Sequence, residues 1–176
     1  VFLAICMIPL LIYAIAPKSW FHRMSSIEDA TTSEKSAIGR IVVWRWTLDY
    51  VSERPLFGGG FYSYNANAGI LHHYQQGDEV EIKQKGGKAF HNIFFEVLGE
   101  TGYGGLFLFL SIISHTMLLN RRTIKRLGGE VAVIGGALNH SLIIYCIGGL
   151  FIGVAFYPWI YYLYGVSLAL STVEES

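Results

Sequence analysis

The sequence is poor in charge. Its 13 Lys and Arg and 13 Asp and Glu make up 15% of 176 residues and cancel to a formal net charge of zero, whereas soluble domains carry about 25% charged residues. A neutral chain offers no basic surface for nucleic acid, so we expect no nucleic-acid partner. The chain is also poor in cysteine, and Cys6 and Cys146 make neither a disulfide framework nor a metal motif.

Long apolar runs take the place of charge. Hydrophobic residues make up 52% of the chain, and a membrane span needs about 20 of them, with about 17 as the lower limit. We therefore predict an all-α, polytopic helical membrane protein fragment with a large, partly helical loop. The predicted segments are a truncated transmembrane helix 1–16, a loop 17–102, a transmembrane helix 103–119, a basic loop 120–130, a transmembrane helix 131–156, and a short transmembrane helix with a tail over 157–176.

The chain start and one basic segment predict how the protein lies in its membrane. Val1 already lies in an apolar run that lacks the features of a signal peptide, so we expect a piece of a larger polytopic protein. Residues 121–126 hold four basic residues and no acid. Short basic loops stay in the cytoplasm. This orientation puts the loop 17–102 on the outer face.

The polar loop contains one predicted amphipathic helix. Apolar side chains recur near the 3.6-residue period at Ile41, Trp44, Leu48 and Val51. We predict that the helix ends near Ser52–Arg54, because Pro55 disfavours helical backbone in the residue before it. Residues 18–38 are polar and varied, and we expect them to form a flexible connection.

Two arginines and three glycines in this loop are candidates for anion binding. Arg40 opens the predicted helix, and its planar guanidinium suits a diphosphate, although it could equally meet lipid phosphates by snorkelling. Arg54 is a second candidate phosphate contact, or part of a turn. Gly58, Gly59 and Gly60 form a candidate loop hinge. Without side chains, they allow the backbone either to make a tight turn or to approach a ligand closely.

His91 is the candidate catalytic residue. Asn92 is a good N-cap, and Ile93 to Leu98 continue as a helix. The positive end of the helix dipole disfavours a protonated histidine at this place. A neutral His91 can accept a proton as a general base; the alternative is a histidine that caps a helix beside interfacial lipid.

The other polar residues favour structural roles. His72 and His73 diverge in any regular element and have no Cys or carboxylate at ligand spacing, so we predict no metal site and no cofactor. Asn139, His140 and Ser141 lie within a predicted span, where polar side chains commonly hold helices together. In a transporter, however, His140 and Asn139 near the midplane would carry the function.

Three short motifs resemble a known family. Residues 39–44 read Gly-Arg-Ile-Val-Val-Trp, residues 54–61 read Arg-Pro-Leu-Phe-Gly-Gly-Gly-Phe, and residues 91–102 read His-Asn-Ile-Phe-Phe-Glu-Val-Leu-Gly-Glu-Thr-Gly. In order and spacing they resemble the O-antigen ligase and polymerase family (the WaaL/Wzy C-terminal region). The last motif is most similar to exosortase-associated O-glycosylation ligases. The resemblance covers about residues 36–120.

The resemblance implies a site and a location. Members of this family are multi-pass proteins of the bacterial inner (plasma) membrane, with a large periplasmic loop. His91 matches a loop histidine proposed to activate the acceptor, and Arg40 matches a loop arginine that binds the donor diphosphate. The family also uses an arginine from an earlier periplasmic segment that this fragment lacks. We therefore expect the fragment alone to be inactive.

The resemblance also implies a reaction. We expect an O-antigen ligase-like glycosyltransferase that moves a glycan from an undecaprenyl-diphosphate carrier to a glycan, lipid or protein hydroxyl, in cell-surface polysaccharide or O-glycosylation pathways. Direct displacement would be inverting, and arginine can replace a metal at the diphosphate. The alternatives are an O-antigen or exopolysaccharide polymerase, a transporter or flippase of lipid-linked sugars, and a scaffold.

Overall fold

The computed structural model describes residues 30–75 and 86–173. This part contains helices α1 (Ala30–Ser52), α2 (Ile93–Leu127), α3 (Gly129–Gly149) and α4 (Trp159–Ser171), with short 3₁₀ helices at Ser63–Asn67 and Leu71–Tyr74. The described residues include no strand, so the all-α prediction is confirmed. The predicted span 1–16 lies outside the described residues, as do most of the predicted flexible connection and the end of the tail.

Helices α2 and α3 are long and apolar enough to cross a membrane. At 1.5 Å per residue, the 21 residues of α3 measure about 30 Å, the thickness of the hydrocarbon core. The predicted span 131–156 corresponds to α3, and residues 150–158 form turns after it. Helix α4, with 13 residues, is shorter than a membrane span.

The basic segment 121–126 lies on the last turns of α2 rather than in a loop. The helix continues to Leu127 because Arg and Lys are good helix formers and no glycine or proline lies between residue 121 and Gly128. Gly128 then adopts a φ of 65° and ends the helix. The connection between α2 and α3 is therefore a glycine break of minimal length.

Helix α1 buries a face that overlaps the predicted one only in part, because Val51 is buried as expected and Ile41 and Leu48 are not. The buried positions follow helical spacing and are Val42, Val43, Trp46, Thr47 and Val51. Ile41 and Leu48, expected on the buried face, are 43% and 48% exposed. Trp44 lies at the edge of the buried face, where its Nε1 donates to the carbonyl of Phe90 at 2.9 Å. The helix also begins at Ala30, so residues 30–38 of the predicted connection are helical.

Polar and apolar contacts both hold the membrane helices together. An apolar core joins α2, α4 and the turns before α4, and it consists of Ile93, Val97, Phe109, Ile113, Ala155 and Ile160. Between α2 and α3, the fully buried Asn120 donates to the side-chain oxygen of Asn139 at 3.1 Å. This bond confirms a packing role for Asn139. Ser141 donates to Ala137 within α3, and His140 is exposed.

Helix α2 is broken at Gly102, and the predicted glycine hinge docks onto the break. Gly102 has φ 68° and ψ −169°, far from helical geometry. The carbonyls that precede a helix break lack helical donors. Two loop amides replace these donors: Gly59 N–H donates to Gly99 O at 2.9 Å, and Gly60 N–H donates to Glu100 O at 2.8 Å.

A third backbone bond runs in the opposite direction. The N–H of Tyr103, directly after Gly102, donates to the carbonyl of Pro55 at 2.7 Å. The two backbones approach so closely that a Cβ at Gly58 would lie 2.6 Å from the nitrogen of Gly102. The glycines of the loop therefore serve a close approach, but to a protein backbone.

Replacing Gly58 with alanine is expected to weaken this docking more than replacing Gly60. Both residues have positive φ, which costs an alanine about 1 kcal/mol. Only a Cβ at Gly58 meets backbone atoms, because a Cβ at Gly60 has nothing within 4 Å. The thermal unfolding midpoint in detergent should fall further for Gly58→Ala than for Gly60→Ala. Equal midpoints would contradict the docking argument.

Candidate functional site

A half-open cavity of about 460 Å³ lies beside the docked loop. Its walls come from the segment after the glycines, from residues 89–91 with the first turns of α2, and from the turns before α4. Aromatic side chains form much of the lining, namely Phe61, Tyr62, Tyr64, Phe90, Phe156 and Tyr157. A volume of this size is typical of small-molecule sites.

His91 lies at the surface of this cavity, directly before α2. The side chain of Asn92 accepts hydrogen bonds from the backbone N–H groups of Phe94 at 2.9 Å and Phe95 at 3.2 Å. The predicted N-cap is therefore confirmed. Because the cap fixes the chain where α2 begins, it also fixes the place from which the His91 side chain leaves the backbone.

Two residues of the cavity have strained backbones. His91 has a φ of 50° and Tyr62 a φ of 61°, and among the described residues no other residue except glycine has a positive φ. Such conformations are costly and cluster at functional sites. Because both residues line the same cavity, this cavity is the candidate functional site.

The surroundings of His91 favour its neutral form. Burial of the ring lowers the pKa of His91 below its ordinary value, and the positive charges of Arg40 and Lys88 lower this pKa further. The sequence argument expected a neutral histidine because of the helix dipole. In the structure, the leading cause of the lowered pKa is partial burial of the ring, although His91 as a whole remains exposed.

Arg40 and Lys88 form a pair of cations beside His91. The guanidinium carbon of Arg40 lies 6.0 Å from the centre of the Phe151 ring, a cation–π distance. Burial lowers the pKa of Lys88, and the charge of Arg40 lowers it further. Neither cation lines the cavity. Lys88 was missed by the sequence analysis, although it stands only three residues before His91.

The buried Asn67 holds the backbone of Lys88 in place. The Nδ2 of Asn67 donates to the carbonyl of Lys88, and the N–H of Lys88 donates to the Oδ1 of Asn67, both at 2.8 Å. Asn67 is fully buried. This two-bond clamp connects the 3₁₀ helix Ser63–Asn67 to the segment that carries both Lys88 and His91.

Two carboxylates line the cavity and hold its walls. Glu96 and Glu100 stand one helical turn apart on α2. Glu96 Oε2 accepts from the N–H of Ala155, and Glu100 Oε1 accepts from the N–H of Tyr62, both at 2.9 Å. The sequence analysis gave them no role. Two acids four residues apart in the otherwise apolar stretch 93–100 were the available signal.

Arg54 is not brought to this site. Its guanidinium carbon lies 4.6 Å from the centre of the Tyr50 ring, and its Nη1 pairs with Glu53 at 3.1 Å. It lines a separate apolar depression formed with residues 55–58. The structure therefore brings His91 and Arg40 together and leaves Arg54 apart.

The adjacent histidines lie elsewhere in the loop. His72 and His73 are exposed, and their ring centres are 3.9 Å apart. Over residues 30–75 and 86–173, no group of three or more His, Cys, Asp or Glu side chains is arranged to hold a metal ion. Neither histidine lines the cavity.

The fold and the comparisons identify the class of protein. Two apolar helices of spanning length and an all-helical architecture define a helical membrane protein. The family model described as O-antigen ligase (Wzy_C) matches residues 1–110, and the chain therefore belongs to the O-antigen ligase family. Membership implies, in general, a glycosyl-transfer enzyme with a lipid-linked glycan donor and an acceptor. A search of curated proteins finds no match. The exosortase-associated branch stays a prediction.

The pKa of His91 provides a direct test of the cation pair. We expect NMR titration of the protein with ¹³C-labelled histidine to give His91 a pKa below 6.5. Arg40→Gln should raise this pKa because a positive neighbour is removed, although burial should keep it below the ordinary value. Arg54→Gln is the control and should leave it unchanged. A His91 pKa insensitive to Arg40→Gln would contradict the arrangement.

Proposed function

We propose that this protein transfers a glycan from an undecaprenyl-diphosphate carrier to an acceptor hydroxyl in a cell-surface polysaccharide or O-glycosylation pathway. The observation that carries the proposal is the position of His91, which lies beside two cations and also borders an aromatic cavity. A glycosyl diphosphate brings its own leaving group. Its transfer requires positive charge at the phosphates and a base at the attacking hydroxyl.

Arg40 and Lys88 bind the diphosphate in this proposal. The guanidinium of Arg40 can donate two parallel hydrogen bonds to one phosphate, while the ammonium of Lys88 acts as a compact positive charge. Together they stabilise the negative charge that develops on the leaving oxygen. This leaves no step that requires a metal ion, and the geometry favours Lys88 over Arg54 as the second cation.

His91 activates the acceptor. Its neutral imidazole takes the proton of the acceptor hydroxyl while that oxygen attacks the anomeric carbon of the donor sugar. The bond between this carbon and the diphosphate oxygen breaks, and undecaprenyl diphosphate leaves with the bonding electrons. A single displacement of this kind inverts the anomeric carbon. The lowered pKa of His91 supports the role, because the base is already neutral near pH 7.

The arrangement of α2 supports a periplasmic site in the inner membrane. The cavity residues lie at the start of α2, and the basic residues 121–126 lie at its end. If α2 crosses the membrane, the two groups face opposite sides. Because short basic segments stay in the cytoplasm, the catalytic side is then periplasmic.

Glycan transfer is the first test. In membranes that contain the protein in its natural full length, His91→Ala and Arg40→Ala should each lower transfer from an undecaprenyl-diphosphate donor by at least about 100-fold, the low end for loss of a general base or an electrostatic donor. His140→Ala is the matched control and should transfer normally, and added chelator should have no effect.

Two outcomes would contradict the proposal. Undiminished transfer by inserted His91→Ala would remove the base. Loss of sugar export in His140→Ala, with His91→Ala normal, would instead favour a transporter, whose polar groups work near the midplane of the membrane.

A ligase and a polymerase share the donor chemistry, and the identity of the glycosylated product separates them.

The pH dependence of transfer follows from the same residues. The base works when neutral, so kcat/KM for the donor should fall only as the pH drops below 6.5, the ordinary histidine value. Lys88→Gln removes a positive charge, raises the pKa of His91 and should move this acid limb to higher pH. Lys125→Gln, a control on the opposite end of α2, should not move it. If the acid limb of the pH profile stays in place in Lys88→Gln, the charge of Lys88 does not act on His91.

A further inference from the structure

The segment between α1 and the glycines exposes two large apolar side chains. Phe57 is 83% exposed and Leu56 is 66% exposed. Three main-chain hydrogen bonds fix residues 55–60 to the break in α2, so both side chains project from an ordered part of the loop. Exposed apolar groups of this size commonly mark an interaction surface. Leu56 and Phe57 therefore need a partner.

These side chains continue an apolar face of the spanning helix α2. A Cβ at Gly104 would lie 2.9 Å from the carbonyl oxygen of Leu56, so the segment contacts the face of α2 that contains position 104. Residues three and four positions further along a helix share its face. Here they are Phe107 and Leu108, which are 70% and 62% exposed. If α2 crosses the membrane with this face toward lipid, Leu56 and Phe57 lie at the outer end of the lipid-facing surface.

A cation lies at the edge of the same surface. Arg54 borders the apolar depression formed with residues 55–58, which has a volume of about 330 Å³. The Nη1 of Arg54 pairs with Glu53 at 3.1 Å, but ion pairs between exposed side chains contribute little to stability. The guanidinium can therefore exchange this partner for a phosphate, which suits its planar donors better. An apolar surface with an arginine at its margin matches a phospholipid, whose acyl chains lie beneath an anionic phosphate.

We propose that residues 54–58 are a membrane anchor, in which Leu56 and Phe57 insert among the acyl chains of the bilayer and Arg54 binds a phospholipid phosphate. Because the main chain of this segment is fixed to α2, the anchor holds the docked loop at a constant height on the membrane. The wall of the cavity that contains Tyr62 follows directly after this loop, so the anchor also fixes the height of that wall.

A bilayer fits these observations better than a protein partner does. It offers apolar chains and phosphates together, in the order in which α2 presents Phe107 and the segment presents Arg54. The phosphate is not that of the glycan donor, because Arg54 borders its own depression and does not line the cavity beside His91. The inference is therefore independent of the proposed reaction.

Photo-crosslinking at position 57 identifies the partner. Benzoylphenylalanine replaces Phe57 in the natural full-length protein, in nanodiscs of phosphatidylglycerol, and mass spectrometry identifies the products. We expect lipid adducts in a yield similar to that of the same probe in place of Phe107. This yield should be at least about tenfold above that of the probe in place of the exposed His73, since a large apolar side chain prefers apolar surroundings to water by about this factor. Crosslinks to a second copy or to another membrane span instead of lipid, or a lipid yield as low as that at position 73, would overturn the anchor.

A mixture of two lipids tests the role of Arg54. The nanodiscs contain equal amounts of phosphatidylglycerol and of a diglucosyl diacylglycerol that has the same acyl chains but no phosphate. With the probe at position 57, the phospholipid adduct should exceed the glycolipid adduct about fivefold, the effect of one arginine near an anionic lipid. Arg54→Gln should abolish this preference, and Arg54→Lys should keep it because the positive charge remains. The matched control Arg121→Gln, near the opposite end of α2, should also keep it.

Two results would overturn the phosphate contact. One is an equal yield of both adducts in the unsubstituted protein, and the other is an unchanged preference in Arg54→Gln. Neither crosslinking experiment measures glycan transfer, so the anchor and the proposed function can each fail while the other stands.

Discussion

The glycine break in α2 is the constraint on which the described structure depends. Because Gly102 leaves helical geometry, the carbonyls of Gly99 and Glu100 become free to accept the N–H groups of Gly59 and Gly60. The loop is thereby fixed to the membrane-proximal end of a spanning helix by main-chain bonds. A Cβ at Gly102 would lie 2.6 Å from the carbonyl oxygen of Pro55, so only glycine allows this contact.

Once the loop is docked, the first half of α2 can serve as the base of the cavity. Glu100 reaches the N–H of Tyr62 on the docked loop, and Glu96 reaches the N–H of Ala155 before α4. Each carboxylate therefore connects the same helix to a different wall. The Asn92 cap begins this helix next to His91, so the base of the cavity and the candidate catalytic histidine have one common support.

The site is polarised in a way that fits group transfer between two different substrates. Positive charge from Arg40 and Lys88 acts on His91 from outside the cavity, whereas the carboxylates of Glu96 and Glu100 and several aromatic rings line the cavity itself. Partial burial and the positive charges of Arg40 and Lys88 both lower the pKa of His91 and so favour its neutral form. Family membership and this polarity support the same general reaction independently, because one comes from sequence similarity and the other from the positions of charges.

The sequence alone determined the helical membrane class, the Asn92 cap and the candidates His91 and Arg40, because apolar length, capping and short motifs are local properties of the chain. It placed Val51 correctly in the buried face of α1 but was wrong for Ile41 and Leu48, since Ile41 and Val42 fit a helical period equally well and only the packing partner decides between them. Tertiary structure brought Arg40 to His91 across 51 residues of chain and set Arg54 apart. Those relations depend on where a glycine break lets two backbones meet, which residue spacing does not encode.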